Sequence, residues 1–156
     1  RLGWNYDFNN LLNQPLLMRD HLEADRAAME AMDKSDIISQ AALLWKFIYR
    51  FVHSTRESFP QFHIVRHEDL ARDPIPGCCY RPGFSRSFTA RAQSIIENSS
   101  NSENPARLAR NKTHSVKLDS RASLDNWKKI LSADEISRVR NITEGVWQAF
   151  YTDADW

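Results

Sequence analysis

Hydrophobic residues recur every three or four positions between Ile37 and about residue 57. This spacing places them along one face of an α-helix. Ser35 stands just before the pattern as the expected N-cap, and the pattern stops before Phe59-Pro60. We therefore predict a long amphipathic helix whose buried face is formed by Ile38, Ala41, Leu44, Trp45, Ile48, Tyr49 and Val52.

Two further helices are predicted on either side of this one. The first begins at Pro15, and Asp25 interrupts its apolar positions, which are Met18, Leu22, Ala28, Met29 and Met32. The closing helix begins at Ser132, where Ser132 and Glu135 form a capping-box pattern. Its predicted buried positions are Ile136, Val139, Ile142, Val146, Trp147 and Phe150.

The remaining predicted elements are two short helices and one strand. Ser123 is the expected cap of a helix that carries Leu124, Trp127 and Leu131, and residues 88 to 96 favour another helix. Residues 62 to 66 are typical of a strand. Because one strand cannot satisfy its own backbone N–H and C=O groups, we expect its partners in a missing N-terminal part or in another chain. The chain starts at Arg1 without methionine, which also favours a fragment.

Composition indicates one domain without a strong charge preference. Residues 1 to 156 are read as a single partial domain, with 21 Lys and Arg against 20 Asp and Glu. This balance argues against nucleic acid as the partner. No apolar run approaches the length of a membrane span. We therefore expect a soluble protein. Adjacent Cys78 and Cys79 neither bridge each other readily nor complete a zinc site, and two unpaired thiols slightly favour the cytoplasm.

Ionisable residues cluster at the end of the predicted strand. His63 and His67 share a strand face and could hold a metal ion together with a carboxylate. The alternative is a structural corner, in which Glu68 and Asp69 cap the following turn and pair with Arg66 or Arg72. The corner is the favoured interpretation, and no metal is expected.

A second candidate site is the segment from residue 107 to residue 123, which is rich in basic and hydroxyl side chains. Arginine and lysine supply charge-assisted hydrogen bonds to phosphate, and a helix N-terminus adds to the attraction. A solvated surface loop is the alternative. The basic residues are Arg107, Arg110, Lys112, His114, Lys117 and Arg121.

Two motifs resemble one enzyme family. Residues 65 to 70, VRHEDL, followed by Asp73-Pro74, are similar to the V-R-Y-E-D-L and D-P signature of sulfotransferases that use 3′-phosphoadenosine 5′-phosphosulfate (PAPS). His67 stands where the family usually has tyrosine. A distal element from Lys117 to Ile136, which contains WKKIL and DEI, resembles the family's closing segment.

The resemblance implies an α/β, P-loop-kinase-like fold with a central parallel sheet, here reduced to a mostly helical C-terminal fragment. It implies transfer of a sulfuryl group from PAPS to a hydroxyl or amine of an unidentified acceptor. Lys117 and Arg121 correspond to residues that hold the 3′-phosphate of the nucleotide, and Trp127 packs the helix beside it.

Other parts of the family pattern are missing from this chain. The phosphosulfate-binding loop and the catalytic residues are expected upstream of Arg1, so the fragment alone is expected to be inactive. Residues 77 to 88, GCCYRPGFSRSF, replace an apolar helix of the family, and a local frame slip is one hypothesis for this difference. A small helical interaction module without enzymatic activity is the alternative to the sulfotransferase.

Overall fold

The computed structural model describes residues 6–62, 64–72, 91, 94–95 and 119–156 of the chain. The chain divides into two compact units. Unit 1 consists of Arg1–His63 and Ser132–Trp156, and unit 2 consists of Ile64–Leu131. A compact unit need not fold by itself, so the single partial domain stays a prediction.

Unit 1 begins with short helical pieces. Helix α1 spans Asn9–Leu12 and α2 spans Pro15–Leu17; a π-helical turn at Met18–Leu22 and a 3₁₀ turn at Glu23–Asp25 then lead into α3, Arg26–Glu30. The sequence predicted one continuous helix here. The departure from α-helix runs from Met18 to Asp25, and it ends at the residue that interrupts the apolar pattern.

Asp25, at the end of this irregular stretch, has a specific partner in the following helix. Its carboxylate lies 2.5 Å from the guanidinium of Arg50, and Arg50 also donates to the main-chain oxygen of His21 at 3.1 Å. Asp25 is 15% exposed and Arg50 is 38% exposed, so the pair is partly shielded from water. The polar residue within the predicted apolar face therefore connects this segment to the following helix.

Helix α4 spans Ile37–Ser58 and is the longest element of the described residues. Its N-cap is Asp36 rather than the expected Ser35, because the Asp36 carboxylate accepts from the Ser39 amide at 3.1 Å. Ser35 instead donates through its amide and hydroxyl to Asp33.

The buried face of α4 is shifted from the predicted one. Its buried residues are Ser39, Gln40, Ala42, Leu43 and Phe47. Ile48, predicted to be buried, is 51% exposed, and Ala41 is exposed as well. Other predicted positions are partly buried on the side that meets the C-terminal segment, where Trp45 stacks on Tyr49 at 4.2 Å and Phe150 meets Tyr49 edge-on at 5.2 Å.

The core of unit 1 is formed by residues from α4 and from the segments before it. Its buried members are Phe8, Met18, Leu22, Met29, Leu43 and Phe47. Phe8 packs edge-to-face against Phe47 with ring centroids 6.1 Å apart. Because so few side chains are buried together, each one carries a large part of the stability of this unit.

Helix α7 spans Ala133–Ile142 and packs against α4. The predicted capping box is confirmed: the Ser132 hydroxyl accepts from the Glu135 amide at 3.2 Å, and the Glu135 carboxylate accepts from the Ser132 amide at 2.9 Å. The predicted length is wrong, because the helix ends at Ile142. Gly145 then adopts φ +79°, a left-handed conformation that glycine tolerates best.

In unit 2, α5 spans His67–Arg72 and α6 spans Asn126–Ile130. The N-cap of α6 is Asp125, so the expected cap at Ser123 is wrong. The Ser123 hydroxyl donates instead to the main-chain oxygen of Asp119 at 2.9 Å, within a turn that precedes the helix. Of the helix predicted at 88 to 96, positions 91, 94 and 95 are described, and they are helical.

The predicted α/β, P-loop-kinase-like fold is wrong for the described part of the chain, where every regular element is helical. Position 62 and positions 64–66 carry no strand. Phe62 is 56% exposed and Val65 is 37% exposed, so neither side chain is enclosed as a sheet core would enclose it. The physical reason is that strand hydrogen bonds need a neighbouring strand, and the described residues provide none.

Within the described ranges, no helix combines the length and the apolar character that crossing a bilayer requires.

Candidate functional site

The charge cluster around α5 is an ion-paired corner. The Arg66 guanidinium donates to the Asp69 carboxylate through two nitrogens, at 3.0 Å and 2.8 Å. The Arg72 guanidinium lies 4.0 Å from the same carboxylate. The predicted pairing of Asp69 with Arg66 is therefore confirmed. The metal hypothesis needed His63 together with His67, and His63 lies outside the described residues.

The charges of α5 also follow the helix dipole. Glu68 and Asp69 lie in its first turn and Arg72 in its last turn. Acidic side chains near the N-terminus and basic ones near the C-terminus each stabilise a helix by about 0.3–1 kcal/mol. This arrangement orders a short helix, and it accounts for the acidic and basic residues without a chemical reaction.

Of the basic segment from 107 to 123, only 119–123 are described, and they form a turn. The Asp119 carboxylate accepts from the Ala122 amide at 2.8 Å, and the Ser123 amide donates to the Asp119 main-chain oxygen at 3.1 Å. Lys117 lies outside the described residues. The turn places Arg121 on the surface, shortly before α6.

Arg121 connects the two segments that carry the sequence resemblance. Its Nη2 donates to the main-chain oxygen of Arg72, the last residue of α5. A guanidinium has five N–H donors in a rigid fork, so this bond orients Arg121 and leaves further donors for an anion. The contact joins residues 49 positions apart, and the sequence contained no signal for it.

Trp127 lies in the first turn of α6 and is partly buried. The Lys128 ammonium lies 5.3 Å from the centre of its indole ring, within the range of a cation–π contact, and 3.7 Å from the Asp125 carboxylate. Trp127 therefore contacts its neighbour Lys128 within the helix that follows the basic turn. Its predicted role beside the nucleotide stays a prediction.

The charge around α6 is basic. Lys128 and Lys129 occupy its last turn and are exposed, and Arg121 is exposed in the preceding turn. These three cations, with Asp119 and Asp125 as the acidic side chains of the same stretch, leave a small positive excess. Such an excess is compatible with binding a phosphate group.

Comparison of the chain with protein-family models, curated proteins and solved structures gave no match.

Proposed function

We propose that the chain is the C-terminal part of a PAPS-dependent sulfotransferase, and that its basic turn contributes to binding the nucleotide. The supporting observation is the bond from Arg121 to the main-chain oxygen of Arg72. It joins the end of α5, just after the VRHEDL motif, to the distal element from Lys117 to Ile136. These are the two regions whose similarity to the family suggested the function. The proposal concerns the nucleotide-binding segment and not the fold.

The roles in the proposed reaction divide between this chain and residues outside it. Lys117 and Arg121 hold the 3′-phosphate of PAPS, and Trp127 packs the adjoining helix. A base supplied from elsewhere removes the proton of the acceptor hydroxyl or amine, which then attacks sulfur in line with the departing phosphate oxygen. The S–O bond to that phosphate breaks, and 3′-phosphoadenosine 5′-phosphate leaves. Alone, the chain is expected to bind nucleotide without transferring sulfate.

Calorimetric titration with 3′-phosphoadenosine 5′-phosphate tests this proposal. A charge-assisted hydrogen bond contributes about 1.5–3 kcal/mol, so Lys117→Ala and Arg121→Ala should each weaken binding roughly 10- to 150-fold. Arg56→Ala removes an exposed arginine of unit 1 and serves as the matched control, with no expected effect. Adenosine 5′-phosphate lacks the 3′-phosphate, so its weaker binding should not change in either variant. Absence of binding, or equal binding by all variants, would contradict the proposal.

A non-enzymatic interaction module is the second candidate, and a specific observation favours it. Four large apolar side chains of unit 1 are exposed by half or more: Leu16 at 66%, Phe62 at 56%, Phe51 at 55% and Ile48 at 51%. Exposed apolar surface is a common feature of sites that bind other proteins. The same titration separates the two candidates, because an interaction module has no reason to distinguish the two nucleotides.

A further inference from the structure

A cavity of about 160 Å³ lies beside the core of unit 1. Its apolar lining consists of Phe8, Leu12, Met29 and Met32. Phe8 and Met29 are 4% and 3% exposed, so this lining is continuous with the core. An apolar cavity of about 150 Å³ is large enough to bind benzene. The volume therefore suits one six-membered ring.

A buried amide side chain, that of Gln40, is hydrogen-bonded to two of the segments around this cavity. Gln40 is 1% exposed and also lines the cavity. Its Oε1 accepts from the Tyr6 amide at 2.7 Å, and its Nε2 donates to the Asp33 main-chain oxygen at 2.9 Å. Breaking either bond would leave a polar group unsatisfied, at a substantial cost in free energy. The cavity is thus a defined part of the folded unit and not a gap between loosely placed segments.

The charged lining residues make the cavity acidic. They are Asp7, Glu30 and Lys34, all three of them exposed. The Lys34 ammonium lies 4.0 Å from the Asp7 carboxylate, and Glu30 lies 3.7 Å from Arg26. Both distances exceed the 2.7–2.9 Å of a strong charge-assisted bond. Asp7 also accepts from the Asn9 amide at 3.1 Å, and Arg26 is held by two bonds to Glu23 at 2.8 Å and 2.9 Å. Each ionised carboxylate has about four acceptor positions, so both can accept further bonds from a ligand. With Arg26 offset by Glu23, Asp7 and Glu30 exceed Lys34 by one negative charge.

We propose that this cavity binds a small primary amine that carries a single aromatic ring. The ring occupies the space between Phe8, Leu12 and the two methionines, and the ammonium group bonds to Asp7 and Glu30. None of the residues assigned to the nucleotide takes part, so a test of this site does not depend on the proposed sulfotransferase function.

Methyl NMR of the full chain, labelled with ¹³C at the methionine methyl groups, tests the site with a built-in control. The chain has three methionines: Met29 and Met32 line the cavity, whereas Met18 is 1% exposed in the same core without lining it. Benzylamine is titrated beside benzyl alcohol and benzoate, which share its ring and differ in charge. We expect shifts at Met29 and Met32 and not at Met18, with benzylamine binding tightest and benzoate weakest.

Variants separate the charge contribution from the cavity itself. Glu30→Gln should weaken benzylamine about two- to fivefold, the effect of one exposed ion pair, and leave benzyl alcohol unchanged. Glu144→Gln, which alters an exposed carboxylate of unit 1 outside the cavity lining, is the matched control. Met32→Trp fills the cavity and should abolish binding of both compounds, with circular dichroism verifying the fold. Equal shifts at all three methionines, no shift at any, or equal affinity for the three compounds would overturn the proposal.

Discussion

At the scale of single residues, Asp36 combines a helix cap with a tertiary ion pair. Its carboxylate accepts from the amide of Ser39 at 3.1 Å and from the hydroxyl of Ser39 at 2.7 Å. The Arg138 guanidinium of α7 donates to the same carboxylate at 2.9 Å. One side chain therefore begins α4 and connects it to the helix that packs against it.

Two substitutions of Asp36 separate these contributions. Asp36→Ala removes both the cap and the pair, and loss of an N-cap costs about 0.5–2 kcal/mol. Asp36→Asn retains a side chain that caps well and removes only the charge, which for a partly exposed pair is worth about 0.2–1 kcal/mol. We expect urea unfolding to show the larger loss for alanine. Equal losses would mean that the ion pair, and not the cap, accounts for the stabilisation.

The same residue predicts a dependence of stability on pH. Hydrogen bonds from the Ser39 hydroxyl, followed by those from the Ser39 amide and the charge of Arg138, hold the pKa of the Asp36 carboxyl below its ordinary value. A lowered pKa stabilises the fold above the unfolded pKa of about 3.9, and this stability is lost as the pH falls through the folded pKa. The unfolding free energy of Asp36→Asn should therefore fall less steeply with acid than that of the original chain.

At the scale of elements, α7 depends on its capping box. Ser132→Ala removes the acceptor of the Glu135 amide and should lower the unfolding free energy by about 0.5–2 kcal/mol in urea. Ser137→Ala changes an exposed serine inside the same helix and should be neutral or slightly stabilising, because alanine has the higher helix propensity. If Ser132→Ala behaves like Ser137→Ala, the box contributes nothing measurable.

The start of α7 could be predicted from sequence, whereas the caps at Ser35 and Ser123 were wrong and helix ends and faces were missed. The box at Ser132 and Glu135 is local, so it was found. The end of α7 at Ile142 was missed, although Gly145 offered a signal for it. On α4, apolar residues lie on more than one face, and the periodic pattern alone could not show that Phe47 is buried and Ile48 is 51% exposed.

At the scale of the whole molecule, the strand was predicted from residue type alone and was wrong. Phe62, Ile64 and Val65 have high strand propensity, but propensity stabilises a strand only where another strand can pair with it. The cavity was missed for a related reason. Its walls come from positions 6–9, 12, 29, 30, 32, 34 and 40, which are far apart in the sequence and come together only in the fold.

Phe47 provides a test of whether the two units fold together. It is 5% exposed, packs on Phe8, and lies beneath the guanidinium of Arg50 at 5.7 Å. Phe47→Ala should cost about 3–5 kcal/mol, because it leaves a cavity in a small core. Ile48→Ala removes an exposed side chain and should cost less than about 1 kcal/mol.

Hydrogen exchange followed by mass spectrometry can measure amide protection separately in the two units of the Phe47→Ala variant. Peptides from α4 report on unit 1, and peptides covering 119–131 report on unit 2. If the chain is a single domain, as the sequence predicts, destabilising the core of unit 1 lowers protection in both sets of peptides, because one cooperative transition exposes all amides together. If only the α4 peptides lose protection and those of unit 2 exchange as in the Ile48→Ala control, the units unfold independently. The single-domain prediction would then be wrong, and the cavity of unit 1 and the basic turn of unit 2 would belong to separate folding units.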